Sequence, residues 1–260
     1  MNGVQMKLHF ANQLSPTKSL GYDVLNPNNF GARRSVPVAL TREALQSGAY
    51  LDSFISSFDA ISWSVESIEE SLEKIMQQRP GNGDVWIFAY GSLMWNPLLN
   101  FDRRQVATLN GWHRSFCLRM TGGRANPTTP GRMLALEPGG VTEGLAYRLS
   151  PYAIEEELRL VWIREMATGF YQPIWTKVKL ADGTTATAIA FVADPVRPQY
   201  EKDAGVLTVA PLVASATGSF GTNADYVLKL EAALADSGLR DAYVEVLSSE
   251  MKRLSPVGSA

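Results

Sequence analysis

Six consecutive residues constrain this chain more than any others. Val85-Trp86-Ile87-Phe88-Ala89-Tyr90 is an unbroken apolar, β-prone run. A strand with one wet face alternates apolar and polar residues, so an unbroken run marks a strand covered on both faces. The run is entered from Arg79-Pro80-Gly81-Asn82-Gly83-Asp84, the densest cluster of turn formers in the chain, and is left abruptly at Gly91-Ser92. Punctuation this strong predicts a boundary. It divides the chain into an N-terminal extension over residues 1–80 and a core domain over residues 81–256.

Within the extension, residues 1 to about 35 are rich in Asn, Pro, Ser and Gly and read as a loop or draped arm. Apolar residues recur at helical spacing from Thr41 to Phe58 and from Val65 to Gln77. Beyond the boundary the pattern predicts strands near 103–109, 111–120, 132–137, 142–149, 173–180 and 184–193. A helix is expected from Ser150 to about Thr168, with Ser150 as its N-cap and Pro151 at its first position. A C-terminal helical set follows from Leu207 to Leu254, with Asn223 as an N-cap and Gly238 as a stop. Many strands followed by helices define an α+β fold with a curled, barrel-like sheet.

Composition prunes the functions open to this fold. The 24 basic and 26 acidic residues of the 260 nearly cancel, which leaves no long-range field to hold nucleic acid or an anionic membrane. Neither a secretory h-region nor an apolar run of the ~18 residues of a membrane span is present, so a soluble, cytoplasmic protein is expected. One cysteine, Cys117, and two histidines, His9 and His113, exclude an internal disulfide, a cysteine-based zinc site and a three-histidine metal site. His113 and Cys117 stand four apart on a predicted strand, about 13 Å at ~3.3 Å per residue, too far to form a thiolate–imidazole pair. Cys117, between Phe116 and Leu118, reads as a core thiol, and His113 as structural. The G-x-S-x-G, G-x-x-x-x-G-K-[ST] and H-E-x-x-H motifs are absent.

Three features carry chemistry. A strand that stops at Tyr90-Gly91-Ser92-Leu93 leaves successive backbone N–H groups free to face a carboxylate or a developing oxyanion. In the helix after Ser150, the apolar stripe Ile154, Leu158, Val161 continues to Glu165, which lies roughly 20° from Ile154 on the helical wheel. Glutamate is rarely placed on a buried face without a reason. Arg164 can neutralise it, or the helix can fray and expose it; otherwise burial raises its pKa toward the range of a general base. The third feature is the loop from Thr121 to Arg132, where Arg124, with Arg119 and Arg132 as alternatives, can clamp a carboxylate.

Taken in order, Trp86 to Trp95, Gly111-Trp112-His113-Arg114-Ser115-Phe116-Cys117, Pro130-Gly131-Arg132, Trp162-Ile163-Arg164-Glu165-Met166 and Thr217 to Tyr226 resemble the ChaC-type γ-glutamylcyclotransferases. The resemblance runs from about Asp84 to Leu247. It implies a mixed fold on a small β-barrel with flanking helices and a lyase that degrades glutathione to 5-oxoproline and cysteinylglycine. It further implies Glu165 as the acid/base, a γ-glutamyl site formed by Ile87, Phe88, Tyr90, Gly91, Ser92 and Leu93 with Arg124, no metal and no organic cofactor. The loop reads Arg124-Ala125-Asn126-Pro127 where the family commonly has Arg-Gly-Thr-Pro. Two other readings share these residues: a cyclotransferase for other γ-glutamyl peptides or amines, and a non-catalytic binder of γ-glutamyl metabolites. A third reading makes residues 1–80 an interaction arm that docks a partner or shields the pocket; the sequence leaves the protein partner unknown.

Overall fold

The computed structural model describes residues 38–58 and 62–254. The arm expected over residues 1 to about 35 lies outside them. Three helices come first: α1 (Arg42–Gln46), α2 (Ala49–Phe58) and α3 (Val65–Gln77). The barrel strands are β1 (Trp86–Ala89), β2 (Phe101–Met120), β3 (Gly131–Leu149), β4 (Tyr171–Leu180) and β5 (Thr185–Ala193), with α4 (Ile154–Glu165) inserted before β4. The chain closes with α5 (Val206–Ser215), the short pair β6 (Thr217–Gly218) and β7 (Gly221–Thr222), α6 (Asn223–Asp236) and α7 (Ala242–Leu254).

The five strands form a closed barrel in the order β1-β3-β2-β4-β5. Closure is made by parallel pairing of β5 with β1, Trp86 opposite Ala188 and Ile87 opposite Ile189. The other barrel pairings are antiparallel. Every residue of β1 is buried, as its unbroken apolar run requires.

Several expected boundaries move, each for a local reason. The segments 103–109 and 111–120 are one strand, and so are 132–137 and 142–149. Gly111 (φ +83°), Gly139 (φ +107°) and Gly140 (φ +69°) bend the pair through a register shift between Asn110 and Trp112 without ending it. Ser150 does not cap α4: Ser150 to Ala153 form a turn, closed by the Ala153 N–H on the Ser150 carbonyl at 3.0 Å. Pro151 suits the second position of such a turn as well as it suits the first of a helix. The helix starts at Ile154 and ends at Glu165. In α6 the cap is Thr222, whose hydroxyl accepts from the Asp225 N–H at 3.0 Å. Asn223 is instead engaged by the Arg132 N–H, at 2.8 Å to its Oδ1. Gly238, at φ +70°, ends α6 as expected.

The described part of the extension packs in one compact unit with the barrel. Gly48 (φ +78°) separates α1 from α2. Ile68 and Ile75 of α3 are buried, and the Trp175 indole of β4 donates to the Ile75 carbonyl at 2.7 Å. Arg42 of α1 makes a bidentate pair with Glu157 of α4 at 2.7 and 2.6 Å. The Asn100 N–H adds a third bond to that carboxylate at 2.8 Å.

Candidate active site

Where β1 ends, the chain enters a single 3₁₀ turn, Ser92–Met94, and this turn forms the floor of a cleft of about 650 Å³. The end of α4 supplies Arg164 and Glu165, the loop after β2 supplies Arg124, the start of β3 supplies Arg132 and Met133, and α6 supplies Tyr226. Helix α2 supplies Tyr50 and Phe54.

Glu165 sits on the inward face that its spacing predicts, with Leu158 and Val161 fully buried on the same stripe. Its side chain is 14% exposed. The oxygen Oε1 is 2.9 Å from Arg164 Nε but outside hydrogen-bond geometry, and it has no other partner among the described residues. Burial pushes this carboxyl above the usual glutamate range, and the Arg164 guanidinium pulls the other way without prevailing. Arg164 is drawn off by the turn: it donates to Ser92 Oγ at 2.9 Å, to the Pro97 carbonyl at 3.1 Å and to the Asn96 carbonyl. The Leu98 carbonyl is taken by Arg42 at 3.1 Å. Three successive carbonyls after the turn are thus gripped by two guanidinium groups, and Leu98 between them holds φ +54°.

Gly91 is required by a close approach rather than by its φ. A Cβ there would lie 2.8 Å from the Tyr226 hydroxyl and 3.2 Å from Leu134 Cδ2. The Tyr226 oxygen faces the Ser92 backbone N–H, and burial pushes its phenol up to about 12, with the Glu165 charge acting in the same direction. A buried phenol, a backbone N–H and a desolvated carboxylate therefore share one small volume. Such a set can take a proton from an incoming ammonium and hydrogen-bond an oxygen that gains charge.

The expected site residues divide into two groups. Glu165, Ser92 and Arg124 line the cleft, and Gly91 lies directly behind Ser92. Ile87 and Phe88 are fully buried in the barrel, away from the cleft lining, and Tyr90 and Leu93 are buried beside them. The Tyr90 hydroxyl donates to the Phe191 carbonyl at 2.5 Å, and its own carbonyl accepts from Arg114 Nε at 2.8 Å. The Leu93 carbonyl accepts from the Tyr147 hydroxyl at 3.1 Å. Tyr90 and Leu93 thereby brace the turn, and Ile87 and Phe88 lie in the strand that leads into it. Arg124 donates to the Thr222 carbonyl at 3.0 Å. Arg132, its side chain 8% exposed, has Nη1 at 3.6 Å from Glu201, while its Nε is buried without a hydrogen bond. Arg119 is exposed and outside the lining. Cys117 is a buried free thiol, pushed up to about 12 by burial, and His113 is exposed, its Nδ1 3.2 Å from the Gly139 carbonyl.

Sequence reasoning singled out neither Tyr226 nor the pair Tyr50 and Phe54. Tyr226 lies inside the Thr217–Tyr226 motif, whereas helical spacing is the only signal that Tyr50 and Phe54 carry.

A closed five-stranded barrel with helices packed around it, and a carboxylate facing a glycine-bearing turn, defines a γ-glutamylcyclotransferase-like fold. The yeast γ-glutamyl cyclotransferase specific to glutathione superposes with a TM-score of 0.62 at 20% identity, covering 69% of this chain and 100% of that one. A ChaC-like protein family model matches residues 85–254, and the chain belongs to that family. It is 46% identical over 215 residues to the glutathione-specific γ-glutamylcyclotransferase of Escherichia coli, covering 83% of this chain and 93% of the relative. That aligned stretch is longer than the family-model match and reaches back into the extension. The mouse glutathione-specific γ-glutamylcyclotransferase 1 is 30% identical over 185 residues, covering 68% of this chain and 83% of the relative.

Proposed function

We propose that this chain is a γ-glutamylcyclotransferase that degrades glutathione to 5-oxoproline and cysteinylglycine, with Glu165 as its acid/base. The observation that carries the reading is the desolvated Glu165 carboxyl, held opposite the Gly91-Ser92 turn by Arg164. The identity to the E. coli relative supports glutathione as the substrate.

The reaction needs no protein nucleophile. The substrate's own α-amino group attacks its γ-carbonyl carbon, a C–N bond forms to close the five-membered lactam, and the peptide C–N bond breaks. Holding both reactants in one folded γ-glutamyl group supplies up to ~7–11 kcal/mol of the barrier. Glu165 takes the proton that the ammonium must lose and returns one to the departing amine of cysteinylglycine. Proton transfer of this kind contributes roughly 10²–10⁴-fold. The Gly91-Ser92-Leu93 turn faces the γ-glutamyl group through Ser92 and the Tyr226 hydroxyl seated on the Ser92 N–H, and Arg124 meets a substrate carboxylate. Ile87, Phe88 and Tyr90 contribute by fixing the strand and turn. No step runs through a metal or organic cofactor.

In this reading residues 81–256 form the catalytic domain and residues 1–80 the extension, working on a small molecule in the cytoplasm. Among the described residues no helix is long and apolar enough to cross a membrane. The test is mass spectrometry of the full chain incubated with reduced glutathione, beside Glu165→Gln. Equal amounts of 5-oxoproline and cysteinylglycine are expected, with turnover at least ~10³-fold lower in the variant. Turnover of the variant within tenfold of wild type removes Glu165 from the acid/base role.

A further inference from the structure

The mechanism above uses one side of the cleft. Another part of its lining comes from α2, which lies before the residues 85–254 that define the family match. Tyr50 and Phe54 line the cleft and are 6% and 8% exposed. Phe58 continues the series one turn further on. Ring centroids are 5.9 Å apart from Tyr50 to Phe54 and 4.9 Å from Phe54 to Phe58. Four-residue spacing places all three on one helix face, and eight residues at 1.5 Å each extend the ladder about 12 Å along the axis.

One end of that ladder stands by the Arg164–Glu165 pair, and the other meets the turn that carries Phe220. Tyr50 stands near enough to Arg164 and Glu165 for both charges to act on its hydroxyl. That hydroxyl makes no hydrogen bond with any described residue. Phe58 meets Phe220 edge-on at 5.9 Å, and Phe220 belongs to the β6–β7 turn whose Thr222 carbonyl holds Arg124. The ladder therefore runs from the carboxylate to the arginine. Met120 and Met133 belong to the same lining.

This wall is fixed in place. Arg42 ties α1, just before it, to Glu157. Just beyond α2, the Trp63 N–H donates to the Ala167 carbonyl at 2.7 Å, and the Trp63 ring lies where a Cβ on Gly169 would stand, 1.8 Å from it.

We propose that the aromatic ladder of α2 is the leaving-group wall of the active site, selecting γ-glutamyl peptides whose second residue carries a soft, uncharged side chain such as a thiol. The proposal rests on the reading that the cleft takes γ-glutamyl peptides. A thiol gains sulfur–aromatic contact with Phe54, and the Met120 and Met133 side chains of the same lining conform to a soft group. A carboxylate against Phe54 would lose its water, and neither residue that α2 gives to the lining carries a charge to pair with it; Arg124, Arg132 and Lys229 come from other elements of the cleft. Rejection here comes from the unpaired charge, a device that needs no clash.

The experiment separates this proposal from the function it rests on. Glu165→Gln full chain, which holds substrate without converting it, is titrated by calorimetry with glutathione and with γ-glutamyl-aspartyl-glycine. The same titrations are run on Glu165→Gln carrying Phe54→Ala or the better-filling Phe54→Leu, with thermal melts to confirm folding. Turnover of both peptides is then measured for Phe54→Ala and Phe54→Leu in the otherwise native chain. The wall predicts that glutathione is preferred over the aspartyl peptide by about 100-fold or more, and that Phe54→Ala lowers kcat/KM for glutathione roughly 10–100-fold and narrows the preference. Phe54→Leu should fall between the two. Folded variants that bind and turn over both peptides within twofold of the native ratio overturn the wall. Phe54-dependent binding without turnover in the native chain keeps the wall and overturns the cyclotransferase reading. Absence of binding by either peptide overturns both.

Discussion

Replacing Arg42 with alanine strips the countercharge from Glu157, whose side chain is 0% exposed against 20% for Arg42. The pair is bidentate, with Nη1 to Oε2 at 2.7 Å and Nη2 to Oε1 at 2.6 Å, and only the Asn100 N–H at 2.8 Å remains once the guanidinium is gone. Leaving a buried carboxylate unpaired costs about 3–5 kcal/mol, whereas an exposed pair is worth about 0–1 kcal/mol. At roughly 2–4 °C per kcal/mol for a domain of this size, Arg42→Ala should lower Tm by about 6–20 °C. Arg42→Met/Glu157→Leu, which removes both charges and fills the space, should recover most of that loss. Urea unfolding of the native chain, both single variants and the double variant completes the cycle, and the coupling energy should exceed ~2 kcal/mol. A loss below ~1 kcal/mol in Arg42→Ala, or additive singles, would refute the claim that α1 is anchored through a desolvated ion pair.

Three further outcomes follow from the site. Because burial raises the Glu165 pKa above 4.5 and the base must be ionised, the acid limb of kcat/KM for glutathione should lie above the ordinary glutamate value; a limb at or below 4.5 contradicts this. The sign for stability is the reverse of the common carboxylate case: with its folded pKa raised, Glu165 favours the fold fully below its unfolded pKa and loses that contribution as pH rises through the folded one. Glu165→Gln should therefore melt above wild type at pH 7.5, and the gap should shrink toward pH 4.5. Gly91→Ala sets a methyl 2.8 Å from the Tyr226 hydroxyl. Turnover should fall about tenfold or more with the fold intact, and adding Tyr226→Phe should restore part of the thermal stability lost; an unchanged kcat in Gly91→Ala argues against the turn as part of the site.

What the sequence discloses about this protein follows the range of the interactions involved. Strand β1 is legible because burial on both faces writes itself into six adjacent residues. Glu165 is legible because helical spacing exposes a carboxylate on an apolar stripe. The same rule misleads two turns earlier. Glu157 reads as one of three acidic residues favouring the helix N-terminus, yet it is the more deeply buried of the two, and its neutralising partner stands 115 positions away in α1. The cap of α6 slips by one residue for a similar reason: Asn223 has the chemistry of a cap, but β3 claims its side chain through the Arg132 N–H. Bends at Gly111 and Gly139 read as strand ends because glycine punctuation does not tell a bulge from a stop. Tyr50 and Phe54 give no local sign of reaching the cleft, since only the tertiary fold lays α2 against it.

In the loop that follows the turn, Asn96-Pro97-Leu98, all three carbonyls are held by cation-to-carbonyl bonds from Arg164 and Arg42. A guanidinium salt in solution offers the same planar cation to the same three oxygens. Guanidinium chloride and urea are therefore not interchangeable toward this protein. Guanidinium chloride should release the Asn96-Pro97-Leu98 loop by direct competition below the unfolding transition of the barrel, whereas urea should move loop and barrel together.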